Sequence, residues 1–336
     1  MGKKNLDLDA RAKELFGEGG LVVGAERENG MDVPVIASGV PTLDYALGVG
    51  GLPRGRIVEV YGPEGTGKTL IIGLFAAGAQ KRNEKAAIVD AEQALTPSFM
   101  KIAGVDFDTL RVGLPENGSQ AFEMAEFLCE SDEYSVVGID SVAALVTEAE
   151  LDGDYDRQHM APLAKLMSQG LRKLTPIVHA SDTIVIFNNQ IRTRPGVSFG
   201  NPEYQPGGRA LPFYSSVRLD VRVAERYKDD KGVQFGHRVK VQVKKNKVAA
   251  PHFTSFFNFY YRPGHHDGYG DVQPGVDLGE SYLTFATEQD FVRQVSSWYH
   301  FVDKETGEAV EKWNGKYAAA QGIMKFKDVL DKEIYR

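Results

Sequence analysis

Between Ile57 and Val223, short runs of apolar β-forming residues alternate with longer stretches in which apolar residues recur at helical spacing. The runs are Ile57-Val58-Glu59-Val60-Tyr61, Ala86-Ala87-Ile88-Val89, Val136-Val137-Gly138-Ile139 and Thr183-Ile184-Val185-Ile186-Phe187. A strand with one wet face would alternate apolar and polar residues, so near-continuous runs separated by helices predict a parallel sheet buried on both faces. The fold class expected is therefore α/β, with a mainly parallel twisted sheet flanked by helices. Two more β runs follow at Val217 to Val223 and Val239 to Val243, then the aromatic run Phe256 to Tyr261.

At the amino end Leu8, Ala12, Leu15 and Phe16 fall at helical spacing, with Asp7 and Asp9 early and Gly17 placed to stop the helix. An isolated short helix gains little on its own and has to dock on something, either the body of the chain or a neighbouring copy. The glycine- and glutamate-rich stretch Gly17 to Gly30 reads as a tether. After the Gly/His/Pro stretch from Pro263 to Gly275 the pattern turns to mixed helix and strand. The expected organisation is an oligomerisation helix and linker at 1–32, a core at 33–264 and a small α+β domain at 265–336.

Composition narrows the class. With 42% hydrophobic and 25% charged residues, the 336-residue chain is ordinary for a globular protein, which excludes a disordered or collagen-like one. The net charge of −7 argues against coating DNA through charge alone, so any nucleic-acid surface must be a local basic patch. Cys129 is the single cysteine, which excludes an internal disulfide and a multi-cysteine zinc site. The start carries no apolar signal-peptide core and no stretch is long enough to span a membrane, so a cytoplasmic protein is expected. Asn117-Gly118-Ser119, formally a glycosylation sequon, then reads as a turn.

In parallel sheets ligands gather at the carboxyl ends of the strands. The residues that close these runs are chemically capable: Gly62 onward, Asp90 with Glu92, Asp140 with Ser141, and Asn189 with Gln190. Gly62-Pro63-Glu64-Gly65-Thr66-Gly67-Lys68-Thr69 fits G-x-x-x-x-G-K-[ST] between a predicted strand and a predicted helix running on to Lys81. Glycines there let backbone N–H groups and the helix amino end face phosphate oxygens. Lys68 adds a point charge, and the Thr69 hydroxyl suits a Mg2+ position that Asp140, at the end of another apolar run, would help to organise. Glu92 is placed to align and deprotonate an attacking water in phosphoryl transfer.

These residues and the strings around them carry a resemblance. Gly51-Leu52-Pro53-Arg54-Gly55-Arg56-Ile57-Val58-Glu59-Val60-Tyr61-Gly62-Pro63-Glu64, Asp90-Ala91-Glu92-Gln93-Ala94-Leu95, Ile139-Asp140-Ser141-Val142-Ala143-Ala144-Leu145, Met167-Ser168-Gln169, Asn189-Gln190-Ile191-Arg192, Phe199-Gly200-Asn201-Pro202-Glu203 and Lys245-Asn246-Lys247-Val248-Ala249-Ala250-Pro251 occur in this order. The chain resembles the bacterial-type RecA recombinases over roughly residues 38–251, and more weakly at both ends. The resemblance implies a RecA-like ATPase that uses ATP and Mg2+. It further implies head-to-tail helical filaments on single-stranded DNA and exchange of strands with a homologous duplex. It implies Glu92 as the water-activating carboxylate, Phe99 beneath adenine, and Gln190 as the reader of the terminal phosphate. Lys245 and Lys247 would reach the nucleotide of an adjacent subunit, so that with Lys68 the catalytic set is completed only on assembly.

Two segments are expected to bind DNA. Asp152 to Met160 begins like an EF-hand loop but has Arg157 at the glycine position and Leu163 at the closing glutamate position. Ile191 to Gly208 contains Arg192, Arg194, Phe199 and the pair Gly207-Gly208. Cations beside an aromatic on a loop suit a single strand, where charge tracks the backbone and a ring stacks on bases. On the resemblance, Met160, Lys165 and Arg172 contribute beside the first loop and Phe199, Gly207 and Gly208 in the second, while Arg209 could add a phosphate contact. His265-His266 reads as a solvated loop, and Trp298-Tyr299 as core packing. Two other classes share the nucleotide motif: an ATP-gated DNA clamp or regulator, and a hexameric helicase motor. The Phe199 loop and Lys245-Asn246-Lys247 favour the recombinase.

Overall fold

A computed structural model describes residues 13, 33–147, 150, 160–193, 203–267 and 270–335; for 160 and 161 it describes the backbone alone. The chain divides into two compact units, Met1–Pro34 and Val35–Arg336. The helix expected near residues 8–16 lies outside the described residues apart from Lys13, which is helical. The loop expected at Asp152 to Met160, with Arg157, likewise lies outside them but for the Met160 backbone.

The second unit is organised by a nine-stranded sheet. Its first part alternates strand and helix: β1 (Ile57–Gly62), α1 (Lys68–Gln80), β2 (Lys85–Asp90), α2 (Pro97–Ile102), β3 (Arg111–Gly113), α3 (Gly118–Glu130), β4 (Tyr134–Asp140), α4 (Met160–Ala180) and β5 (Ile184–Gln190). The four apolar runs are β1, β2, β4 and β5, while the short, partly exposed edge strand β3 has no such run. Then come β6 (Val217–Lys228), β7 (Gln234–Asn246), β8 (Thr254–Tyr260) and β9 (Gly275–Val276). Across the sheet the order is β9-β8-β7-β6-β1-β5-β4-β2-β3. From β6 to β3 neighbours run parallel, and from β6 to β9 they run antiparallel.

The sheet is buried on both faces. On one, Leu70, Ile71, Ile72 and Phe75 of α1 pack on Val58, Val60, Ile184 and Ile186. On the other, Met167, Leu171, Leu174 and Val178 of α4 pack with Phe122 on Ile57, Val137 and Phe187. Each such fully buried side chain contributes about 1.5–3 kcal/mol. The spacing of the α4 set leaves Lys165, Gln169 and Arg172 exposed on the opposite side.

The hairpin β6–β7 runs past the predicted ends at Val223 and Val239, because Glu225, Arg226 and Lys228 lie beyond the covered part of the sheet. Its register steps between Arg218↔Lys245 and Leu219↔Val243, leaving Lys244 bulged. Asn117 caps α3 rather than forming a free turn, its side chain accepting from the Gln120 N–H at 2.9 Å.

Beyond β9 come α5 (Leu278–Glu288), an antiparallel sheet of β10 (Val292–Val295), β11 (Trp298–Val302) and β12 (Ala309–Asn314), then α6 (Lys316–Gly322) and α7 (Lys327–Ile334). These elements bury Tyr282, Phe285, Trp313 and Leu330 against Tyr227, Phe235 and Tyr260 from the far ends of β6–β8. Of the pair expected in a core, Tyr299 is buried but Trp298 is 45% exposed, since adjacent strand residues face opposite sides. His265 and His266 lie in a short strand, Gly264–His266, rather than a loop, with His265 Nδ1 2.9 Å from Asp271 Oδ1.

Candidate nucleotide site

Because β1, β2, β4 and β5 are parallel neighbours, their carboxyl ends bring the glycine loop, Asp90, Asp140 and Gln190 to one rim. Gly62 leaves β1 so close to β6 that a Cβ would sit 2.1 Å from the Val221 carbonyl oxygen. Gly67, at φ +98°, is the left-handed residue from which α1 starts, a conformation that costs other residues about 1–2 kcal/mol. Within the loop the Thr66 hydroxyl and the Lys68 ammonium both donate to the Pro63 carbonyl, at 3.0 and 2.8 Å. Burial holds the Lys68 pKa below its usual value, against the raising pull of Asp140, Glu92 and Glu64.

Asp140 is 6% exposed and both of its carboxylate oxygens are engaged. Thr69 Oγ1 donates to Oδ2 and Asn188 Nδ2 to Oδ1, each at 2.6 Å. Burial pushes the Asp140 pKa up to about 6, with Glu92 and Asp90 adding to the shift while the Thr69 and Asn188 bonds oppose it. The Asp140 carbonyl accepts from the Ala91 and Glu92 N–H groups at 2.7 and 3.1 Å, which fixes Glu92 over the end of β4. Glu92 Oε1 accepts from the Ser141 hydroxyl and, at 3.0 Å, from Gln190 Nε2. Asp90 organises the chain that follows, accepting from Leu95 N at 2.9 Å.

The glycine loop and the Glu92, Asp140, Asn188 and Gln190 side chains line a cavity of about 370 Å³. Glu64–Thr69, Glu92, Asp140, Asn188 and Gln190 form its polar side. Phe99, held in α2 behind the Thr96 cap and edge-on to Phe259 at 6.0 Å, forms an aromatic side with Phe259 and Tyr261. His237 also lines this side, buried, with Nδ1 bonded to the Tyr261 hydroxyl. Its Nε2 lies against the loop backbone near Thr66 without a full hydrogen bond. Burial pushes the His237 pKa down to about 4, so its ring is neutral around pH 7. Asn188, His237, Phe259 and Tyr261 were not anticipated. The last three carry no local motif and meet the glycine loop only through the pairing His237↔Phe259 between β7 and β8.

The two lysines expected to act in phosphate chemistry do not line this cavity. Lys245 is eight residues beyond His237 along β7, about 27 Å at strand spacing, and its ammonium donates to the Pro212 and Phe213 carbonyls at 2.8 and 3.0 Å. Lys247 lines a different cavity with Phe213, His179 and Arg56.

Among residues expected at DNA, Lys165 and Arg172 are exposed seven positions apart on α4. The Met160 side chain, Arg194 and Phe199 lie outside the described residues. The ends of the second loop are not free: Arg192 pairs with Tyr204 and Thr193 with Glu203 in a two-stranded stem. Braces hold that stem: Arg222 to Glu203 at 2.8 Å, Arg218 to Gln205 at 3.0 Å, and Asn189 to the Pro206 carbonyl at 3.3 Å. Gly207 is buried against Met167 and Val142, while Gly208 and Arg209 are exposed before the short helix Ala210–Tyr214. Ile191 N–H donates to the Gly62 carbonyl at 3.1 Å, joining the root of the stem to the glycine loop.

A parallel sheet with this loop between β1 and α1, and a carboxylate at the end of β4 bonded to the loop threonine, defines a P-loop nucleotide-binding protein. The family model for the RecA N-terminal domain matches residues 6–266. Protein RecA of Francisella tularensis subsp. novicida (strain U112) is 44% identical over 303 residues, covering 90% of this chain and 81% of that protein. Protein RecA of Francisella tularensis subsp. tularensis (strain SCHU S4 / Schu 4) matches to the same extent. The chain belongs to the RecA family. As such it is an ATP-using recombinase that assembles on single-stranded DNA and pairs it with homologous duplex, and neither the clamp nor the helicase reading is favoured. Among the described residues no helix is long and apolar enough to cross a membrane.

Proposed function

We propose that this recombinase hydrolyses ATP to ADP and phosphate when bound to DNA, in the cytoplasm, and that the nucleotide sets how tightly the filament holds a single strand. The observation that carries the reading is the position of Gln190. Its amide donates to Glu92 at the cavity, and two residues later Arg192 opens the stem of the second loop. A terminal phosphate that attracts the Gln190 amide away from Glu92 would therefore move both the candidate base and the root of that loop. Such a shift follows only if the triphosphate binds one arrangement better than the other.

In this reading the backbone of Gly62–Thr69 holds the phosphates, Lys68 trades the Pro63 carbonyl for an outer phosphate, and Phe99 stacks on the base. Glu92 orients a water and takes its proton. Thr69 and Asp140 offer hard oxygens whose mutual hydrogen bond of 2.6 Å places both on one side of the cavity. This donor set fits Mg2+, which takes few protein oxygens beside phosphate and water. Bound there, the ion would neutralise charge on the phosphates. Lys245 and Lys247, remote from their own cavity, are suited to act on a neighbour's nucleotide, so that the charge completing the site arrives only with assembly. Lys165, Arg172, Arg192 and Arg209 supply the local basic surface that the net charge of −7 does not. We further propose the division 1–32, 33–264 and 265–336, with the first segment serving oligomerisation. The test is ATP hydrolysis with and without single-stranded DNA. Stimulation in the native chain and its loss in Lys68→Ala support the reading, and turnover indifferent to DNA refutes it.

A further inference from the structure

Asn188 sits where the strand pattern calls for an apolar side chain. Strand periodicity puts it on the face of β5 that carries Ile184 and Ile186, toward α1, and it is 2% exposed. Its amide orientation is fixed by chemistry, since an ionised carboxylate only accepts and the group 2.6 Å from Asp140 Oδ1 must be the NH2 end. Among the described residues, that leaves Asn188 Oδ1 buried with no hydrogen-bond partner, in a residue that lines the nucleotide cavity. An unpaired buried acceptor weakens a folded protein, so the arrangement calls for a donor that arrives later. Phosphate oxygens are acceptors at neutral pH and cannot supply it. Water carried in the hydration shell of a divalent cation can.

We propose that Asn188 is a positioning residue for the metal–nucleotide complex. Its Nδ2 holds one oxygen of Asp140 while Thr69 holds the other, and its Oδ1 accepts a hydrogen bond from the ion's hydration water. This rests on the Mg2+ reading given above. Partners that orient a metal's ligands typically change metal affinity 10–100-fold when removed.

The test uses the full chain and a fluorescent ATP analogue, titrated with Mg2+ and, separately, bound in the presence of EDTA. For Asn188→Leu, which keeps the branched shape, the Mg2+ midpoint should rise about 10–100-fold, well beyond any change in EDTA-state affinity. Asn188→Ser, a smaller change that carries the test should the leucine variant not fold, should shift the midpoint in the same direction. An unchanged midpoint in a folded variant, or a loss of affinity equal with and without the ion, means that Asn188 only packs and overturns the inference. Binding by the native chain that ignores Mg2+ would instead refute the magnesium reading, and that failure is visible without any variant.

Discussion

Replacing Arg218 with alanine would strand a charge in the middle of the sheet. Glu59 on β1 is fully buried, and its Oε2 accepts from Arg218 Nε at 2.5 Å while Oε1 accepts from Asn189 Nδ2 at 3.3 Å. Burial raises the Glu59 pKa and Arg218 is the main influence opposing it. The guanidinium also lies 4.8 Å from the Tyr61 ring centroid and braces Gln205 of the loop stem. Removing one partner of a buried pair costs about 3–5 kcal/mol, because the other is left ionised or must take up a proton. Arg218→Ala should therefore lose roughly that much, a large share of the 5–15 kcal/mol typical of a folded domain. Replacing both partners with apolar residues, in Glu59→Leu with Arg218→Met, should recover most of it. Urea unfolding followed by circular dichroism gives the comparison. A loss below about 1 kcal/mol for Arg218→Ala would show that water reaches Glu59 and would refute the claim that this pair is a dry brace.

Three further outcomes are expected. Gly67→Ala should reduce stability by about 1–2 kcal/mol through its φ of +98° and should impair nucleotide binding, both read by thermal shift with and without ATP. His237 takes up a proton near pH 6.5 when unfolded but only near 4 when folded, so stability should fall as pH drops from about 6.5 toward 4, by at most about 1.4 kcal/mol per pH unit. His237→Gln should flatten that slope in urea titrations across the same window, and a slope unchanged by the substitution would place its origin elsewhere. Arg192→Ala should reduce the slope of log affinity against log salt for single-stranded DNA by about 0.7, and an unaltered slope would remove Arg192 from the phosphate contacts.

The parallel half of the sheet was legible because each strand buried on both faces leaves an unbroken apolar run, and the glycine loop because phosphate chemistry demands a local string. What lay beyond reach was contact made by pairing between strands distant in sequence. His237 and Tyr261 look like ordinary residues of two late strands until β7 and β8 swing their ends against Gly67 and Thr66. Asn188 was readable in principle, as a polar residue on the apolar face that Ile184 and Ile186 mark, but it belongs to no local string that signals phosphate chemistry. The alternation of charged and apolar residues past Val223 also understated the hairpin, since those strands leave the covered sheet and need bury only one side.

The most direct test of the account is single-stranded DNA affinity measured with a slowly hydrolysed ATP analogue, with ADP and with no nucleotide, at one salt concentration. The account predicts tight binding with the triphosphate and affinity at least about tenfold weaker in the other two states, a difference of about 1.4 kcal/mol or more in coupling. Equal affinity in all three would contradict it.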